Sequence, residues 1–521
     1  MKTEFSYLEI WKAISKLDQI EEFWNVSIEG SLVWPLIRIR IATDWFFEDF
    51  EIKKDRERKI QFLKKRVRMV LVSLLGNLYA VQTSKRRGLN LNKENKVLCV
   101  AYDDLRRDLA EDGRLRDPYF DYLLPAIRHL NPIVYNTWRD NATLKGRFFW
   151  PHNIGDQGVM LRSLKRKFFP PRLGALQEKI SSSVQCIEKL LETYCVRDMI
   201  PERVLNRMRP FDRLITPFLL EKRFLKELLK RLGTKILITL GHSKFQWEDA
   251  ARELGVICIS LQQGLISELS PANNIDASAR KYKKMMPLPS IVTVNGKYFV
   301  DRLIAGGFWD AEEIVPIGFA RLMQQIKTYP PLSPALKYPR KKVQILVTSD
   351  HHISASMADY INKVDEGLGP DKGLVEWVIK VHPWKDDLKP YTQVKARLRL
   401  IDEVKDRISL YELMNESDIH LTSWSATTFE AIPYGVLTLF MNANGPILMS
   451  ELIRRQIAID ACDPKIATKI IGMFLHEDKY FMINWAQKIM DQQKYFFEED
   501  PPSQFKKLID RCLQAKAGLG H

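Results

Sequence analysis

Two loops in the C-terminal half carry residues suited to holding an anion. Lys380-Val381-His382-Pro383-Trp384 closes an apolar run that begins at Leu374. Thr422-Ser423-Trp424-Ser425-Ala426-Thr427-Thr428-Phe429-Glu430-Ala431 follows Asp418-Ile419-His420-Leu421. Each reads as a strand ending in a polar turn, and the second turn is expected to run straight into a helix. Hydroxyls at a helix start, with free backbone N–H groups and the helix dipole behind them, make a phosphate site. A His at a neighbouring strand end adds a donor to the same anion. The expectation is a nucleotide mono- or diphosphate donor and transfer of an activated group.

Such loops need strands to present them. Val97–Ala101 ends in Tyr102-Asp103-Asp104, and Lys235–Leu240 ends in Gly241-His242-Ser243. The expected helix Gln246–Leu254 leads to Val256–Leu261 and the turn Gln262-Gln263-Gly264, and Ser290–Val294 repeats the rhythm before Asn295-Gly296-Lys297. Pro132–Tyr135 is another short strand, and residues 173–232 have helical periodicity. Strand, helix and strand with short joins is the parallel α/β pattern. Pro-rich Tyr329–Pro339 reads as a boundary. Beyond it Val343–Val347 ends in Thr348-Ser349-Asp350-His351-His352, and Leu398–Ile401, helix Leu410–Glu416 and the run from Gly435 to Phe440 complete a second set. In open α/β sheets ligands sit at the C-terminal ends of strands, where all these polar turns fall. The sequence has no Gly-x-Gly-x-x-Gly and no Walker motif.

The expected division has three parts. Residues 1–92 form a mainly helical extension, 93–327 an acceptor domain, and 328–521 a nucleotide-donor domain with C-terminal helices. Trp24, Trp34 and Trp45 lie in an aromatic-rich segment of the extension, where they either pack a core or offer a lipid or acceptor surface.

The 521-residue chain carries a formal charge of +16 and is 45% hydrophobic. It is long enough for two or three domains with substantial cores. The charge favours anionic partners, and no helix-turn-helix, zinc finger or RNP-type motif specifies nucleic acid. Six scattered cysteines, without a Cys-x-x-Cys pair, argue against a disulfide framework or a zinc site and fit a reducing compartment. Lys64-Lys65-Arg66-Val67-Arg68 and Lys85-Arg86-Arg87 flank a short apolar run. That run is below the roughly 20 residues a spanning helix needs. Residues 60–90 are therefore read either as a peripheral contact with an anionic membrane or as a core helix with basic ends. His351-His352 alone is no metal site.

This layout resembles the GT-B glycosyltransferases. The C-terminal half is similar to the bacterial surface-polysaccharide group of capsule polysialyltransferases, Kdo transferases and teichoic-acid glycerophosphotransferases. Four stretches carry the resemblance, all within about residues 235–445. Ile259–Gly264 is similar to a strand ending in Gln-His-Gly. Pro316–Arg321, with Gly318, is similar to a Gly-x-Pro-Arg turn. Lys380–Pro383 is similar to the His-Pro motif, and Asp418–Ala431 to Asp-hydrophobic-Ser-x-Ser-x-x-x-x-Glu-Ala. The resemblance implies an α/β chain of two Rossmann-like doubly wound domains facing a cleft.

It also implies a metal-independent glycosyltransferase that uses no cofactor. A nucleotide-sugar donor and a glycan or glycolipid acceptor of capsule or lipopolysaccharide assembly would be its partners. The expected location is cytoplasmic, at the inner face of the membrane. His382 would assist the leaving phosphate. Pro383, Ser423, Ser425, Thr427, Thr428, Ser349, Asp350 and Gly318 would line the donor site. Glu430 would accept from a ribose hydroxyl or complete a helix cap. Asp103, Asp104 and Glu268 are candidate bases, with His242, Gln263 and Gly264 elsewhere in the cleft. The chain departs from the family at Gln263, where a His is frequent; Gln cannot act as a general base. A CDP-alcohol glycerophosphotransferase, a non-catalytic scaffold and a sugar-nucleotide epimerase of the same fold remain alternatives.

Overall fold

The computed structural model describes residues 7–51, 96–102, 108–109, 115–137, 153–156, 174–241, 244–267, 269–271, 273–337, 342–349, 353–382, 388–402, 406, 408–477 and 479–518. The basic stretch 60–90 lies outside them. The chain divides into two compact units. The first comprises Leu8–Val294, Val300–Ile317 and Pro501–His521; the second comprises Met1–Tyr7, Asn295–Phe299 and Gly318–Asp500.

The first unit opens with a helical segment and a small antiparallel ribbon of β1 (Ser27–Ile28) and β2 (Ser31–Leu32). Its centre is a parallel sheet made of β3 (Val97–Tyr102), β6 (Ile133–Thr137), β7 (Asn153–Asp156), β8 (Ile236–Leu240), β9 (Ile257–Leu261), β10 (Ile291–Val294) and β11 (Ile314–Pro316). A second ribbon pairs β4 (Asp108–Leu109) with β5 (Leu115–Arg116). The strand order of the large sheet is β11-β10-β9-β8-β3-β6-β7. β8 is buried along its whole length. A strand covered on both faces reads as a continuous apolar run, which is how Ile-Leu-Ile-Thr-Leu announced itself. Leu225 and Leu229 of helix Asp212–Arg231 and Trp247 of helix Phe245–Glu253 pack with Leu98, Val100, Leu237 and Tyr135 in one core.

The N-terminal helical segment is built into this unit rather than appended to it. Asp18 and Arg38 form a buried ion pair at 2.7 Å, and the Trp34 indole donates to the same carboxylate at 2.9 Å. Arg38 also donates to the carbonyl of Asn274 at 3.2 Å. Lys222 is buried between Ser31, Asp249 and Glu253, with ion pairs at 3.3 and 2.7 Å to the two carboxylates. Trp24 and Trp34 are fully buried, so these two rings pack a core.

The second unit carries a parallel sheet of β12 (Val343–Thr348), β13 (Val375–Lys380), β14 (Leu398–Ile401), β15 (Ile419–Thr422), β16 (Leu437–Phe440) and β17 (Ala458–Asp460). Its order is β14-β13-β12-β15-β16-β17. Asp418 sets the register of β15: its backbone N–H donates to the Gln344 carbonyl at 2.9 Å, and its carboxylate accepts from the Gln344 N–H at 2.8 Å.

Two parallel α/β sheets in one chain match the expected two-domain fold. The division along the chain differs from the three-part expectation at both ends. Residues from Leu8 onward belong to the first unit, and so does the last helix, Pro501–Gly518. That helix buries Phe505, Leu508, Ile509 and Cys512 and packs on Phe120–Leu123 and Leu124–Leu130. Its apolar stripe needs a partner face, and the first unit supplies one. Among the described residues, no helix is long and apolar enough to cross a membrane.

Candidate functional site

Both sheets follow the same path. In the first, the chain runs β3, β6, β7 to one side and then resumes with β8 on the other side of β3. In the second it runs β12, β13, β14 and resumes with β15 on the other side of β12. Each centre is a topological switch point, and ligands of such sheets bind outside the strand ends there.

The second switch point gathers much of what the sequence singled out. Ser349 follows β12, and its N–H donates to the Lys380 carbonyl at the end of β13 at 3.1 Å. Its Oγ accepts from the backbone N–H of His382 at 2.7 Å. The start of the His-Pro turn is thereby fixed to the end of the central strand. On the other side of β12, Thr348 Oγ1 lies 3.0 Å from Thr422 Oγ1 and 3.3 Å from Thr427 Oγ1. Thr427 donates to Ser425 Oγ at 2.8 Å through its hydroxyl and at 3.3 Å through its backbone N–H. Ser423 and Thr428 are buried, and neither side-chain oxygen has a partner among the described residues. Gly445 packs so closely behind this loop that a Cβ there would stand 2.3 Å from the Ser423 carbonyl oxygen.

The helix expected after the Ser/Thr turn is short. Thr427–Glu430 makes four residues of α-helix, followed by the 3₁₀ turn Ile432–Tyr434 and Gly435 at φ 63°. Pro433 explains the stop, because its ring displaces the carbonyl four residues back and it brings no N–H. One turn carries little of a macrodipole. What the turn can offer an anion is hydroxyls and local N–H groups instead. Glu430 ends the short helix, where its carboxylate accepts from the Tyr411 hydroxyl. Phe429 anchors the turn from behind, with ring centroids 5.2 Å from Phe299 and 5.6 Å from Phe496.

Gly318 sits at φ 84° just ahead of helix Ala320–Thr328. In the first unit, Gln263 is half-buried after β9 and packs beside Gly241. Gly264 takes φ 73°, and its carbonyl accepts from the Gln262 side chain at 3.2 Å. Asp103, Asp104, His242, Glu268, Asp350 and Pro383 lie outside the described residues.

Two groups escaped the sequence reading. His420 on β15 is fully buried, with Nε2 2.9 Å from Thr348 Oγ1 and Nδ1 3.1 Å from Thr438 Oγ1. Burial pushes its pKa down to about 3, so the imidazole is neutral. Glu248, on the helix that follows β8, is also fully buried, and burial holds its carboxyl well above the usual carboxylate range. Lys244 precedes it; burial lowers the ammonium to about 8, against the pull of Glu248.

No family model and no curated protein matches the chain at the level of sequence. Several solved structures are similar to it. They include a UDP-N-acetylglucosamine 2-epimerase, 14% identical over 82% of this chain and 98% of that one, at a TM-score of 0.46. Another is the wall teichoic acid polymerase TagF with CDPG, 11% identical over 88% and 99%, at 0.42. A third is the spinosyn rhamnosyltransferase SpnG, 14% identical over 80% and 100%, at 0.45.

Proposed function

We propose that the chain is a glycosyltransferase whose second unit holds a nucleotide-sugar donor by its phosphates. One observation carries this reading: three adjacent strand ends at a switch point converge on His382, Ser349 and the Ser425–Thr427 hydroxyls. Hydrogen-bonding groups set in advance stabilise charge that develops on a leaving phosphate.

In the proposed reaction an acceptor hydroxyl oxygen bonds to the anomeric carbon as the carbon–oxygen bond to phosphate breaks. The electron pair leaves with the nucleotide, and the acceptor proton passes to a base. Asp103, Asp104, Glu268 and His242 are the proposed bases; Gln263 cannot serve. The proposed acceptor is a lipid-linked or growing surface polysaccharide. Residues 60–90 are proposed to touch the inner, anionic face of a membrane. Liposome flotation with and without residues 60–90 tests that contact, and equal binding by both proteins removes it.

The donor site is tested by thermal shift with CMP, CDP, UDP, GDP and ADP on wild type and His382→Ala. A nucleotide that stabilises only wild type supports the site and names the donor base. Equal shifts in both proteins, or no shift in either, refute it.

A further inference from the structure

The hydroxyls at the second switch point have a polarity that the geometry resolves. Thr348 has one proton and donates it to Thr422 at 3.0 Å. Toward His420 Nε2, at 2.9 Å, Thr348 is therefore an acceptor, and Nε2 carries the hydrogen. A neutral imidazole then has a bare Nδ1, which accepts from the Thr438 hydroxyl at 3.1 Å. Thr427 spends its proton on Ser425, so at 3.4 Å it too can only accept from Nε2. Ser425 Oγ accepts twice, from the Thr427 hydroxyl and from its backbone N–H. Both lone pairs are committed, and the Ser425 proton is left to donate.

We infer that His420 is a positioning residue. Locked as the Nε2–H tautomer by Thr438 on β16, it orders the hydroxyl chain so that half-buried Ser425 offers its proton to a phosphoryl oxygen. This rests on the donor-phosphate reading above. With the opposite tautomer, Thr348 or Thr427 would donate to Nε2, and Ser425 would turn its proton inward to Thr427. The buried, unpartnered Ser423 and Thr428 hydroxyls lie in the same loop. The depressed pKa of the imidazole keeps the order intact from neutral pH down to mild acid.

The test measures binding of inorganic pyrophosphate and of the five nucleotides by calorimetry. His420→Leu and Ser425→Ala should each weaken binding about tenfold, the worth of one hydrogen bond to a charged group. The double variant should bind no worse than Ser425→Ala alone, whereas a packing role would make the losses add. Thr438→Val, which removes the lock without a change of volume, should behave like His420→Leu and gives the same answer if the leucine variant fails to fold. His420→Gln, which keeps a donor near Nε2, should recover most of the loss. Additive losses, an unaffected His420→Leu, or a ¹⁵N-histidine spectrum with the proton on Nδ1 of His420 would overturn the inference. Nucleotide binding by wild type alongside any of these leaves the donor site standing while the inference falls. Pyrophosphate binding without nucleotide binding, with the cycle non-additive, reverses that result. Binding of neither removes both.

Discussion

At the ends of β12 and β15 the polar side chains are hydroxyls and an imidazole that stays neutral. Just past β8, on the same chain path in the other sheet, they are a carboxyl and an ammonium, both pushed by burial toward their uncharged forms. The first set has fixed polarity and no proton to exchange near neutral pH. In the second set, burial raises the carboxyl pKa and lowers that of the ammonium. Holding a departing anion asks for the former. Two sheets of like strand order are thus furnished differently beside their switch points.

The comparison can be broken most severely at Gly445. An alanine there collides with the Ser423 carbonyl and the Phe440 ring, which lies 2.5 Å from the added carbon. Overpacking against backbone should remove about 3 kcal/mol of stability and abolish nucleotide binding. Chemical denaturation and the thermal-shift panel measure both. His382→Ala should reduce turnover at least tenfold, about 1.4 kcal/mol of barrier, in a protein that melts like wild type. Unchanged kinetics in that variant would remove His382 from the proposed site.

The two furnishings also predict opposite responses to pH. For His420 the folded pKa of about 3 lies below the ordinary value of 6.5. The folded protein then binds fewer protons, so this contribution is complete above pH 6.5 and is lost as pH falls toward 3. For Glu248 the folded pKa lies above the ordinary value of 4.5, so its contribution is complete in acid and is lost as pH rises above that value. Each slope is at most about 1.4 kcal/mol per pH unit. Denaturation midpoints against pH should flatten on the acid side in His420→Gln and on the alkaline side in Glu248→Gln. A swap of those limbs, or no change in either, would contradict the assignment of neutral forms. The smallest effect is expected at Ser349→Ala, which unties the His382 N–H and should weaken donor binding about fivefold, near 1 kcal/mol.

Much of the fold could be read from strand ends. Ile236–Leu240, Val343–Thr348 and Ile419–Thr422 are apolar runs stopped by polar turns, and the sheet places those turns at its switch points. The His382 and Thr422–Thr428 loops were visible because hydroxyls and a His-Pro pair stand out in sequence. His420 was not. Inside Asp-Ile-His-Leu it occupies a strand position like any other, and its partners Thr348 and Thr438 come from two different strands. Sequence spacing cannot show a hydrogen bond across a sheet whose order is still unknown. Glu248 stands among Gln, Asp and Arg in the sequence, and only the packing of Trp247, Ala250 and Ala251 on the sheet reveals its burial. The helix expected after the Ser/Thr turn is present but stops after four residues, ahead of Pro433.

The last helix, Pro501–Gly518, belongs to the first unit although the whole second sheet precedes it in the chain. On the ribosome this reverses the usual order, in which the N-terminal domain matures first. The face formed by Phe120–Leu130 waits uncovered while residues 318–500 are made, and it is closed only when Phe505, Leu508 and Ile509 emerge. The unit that starts first finishes last, and a nascent chain halted before residue 501 carries an open apolar face for chaperones to guard.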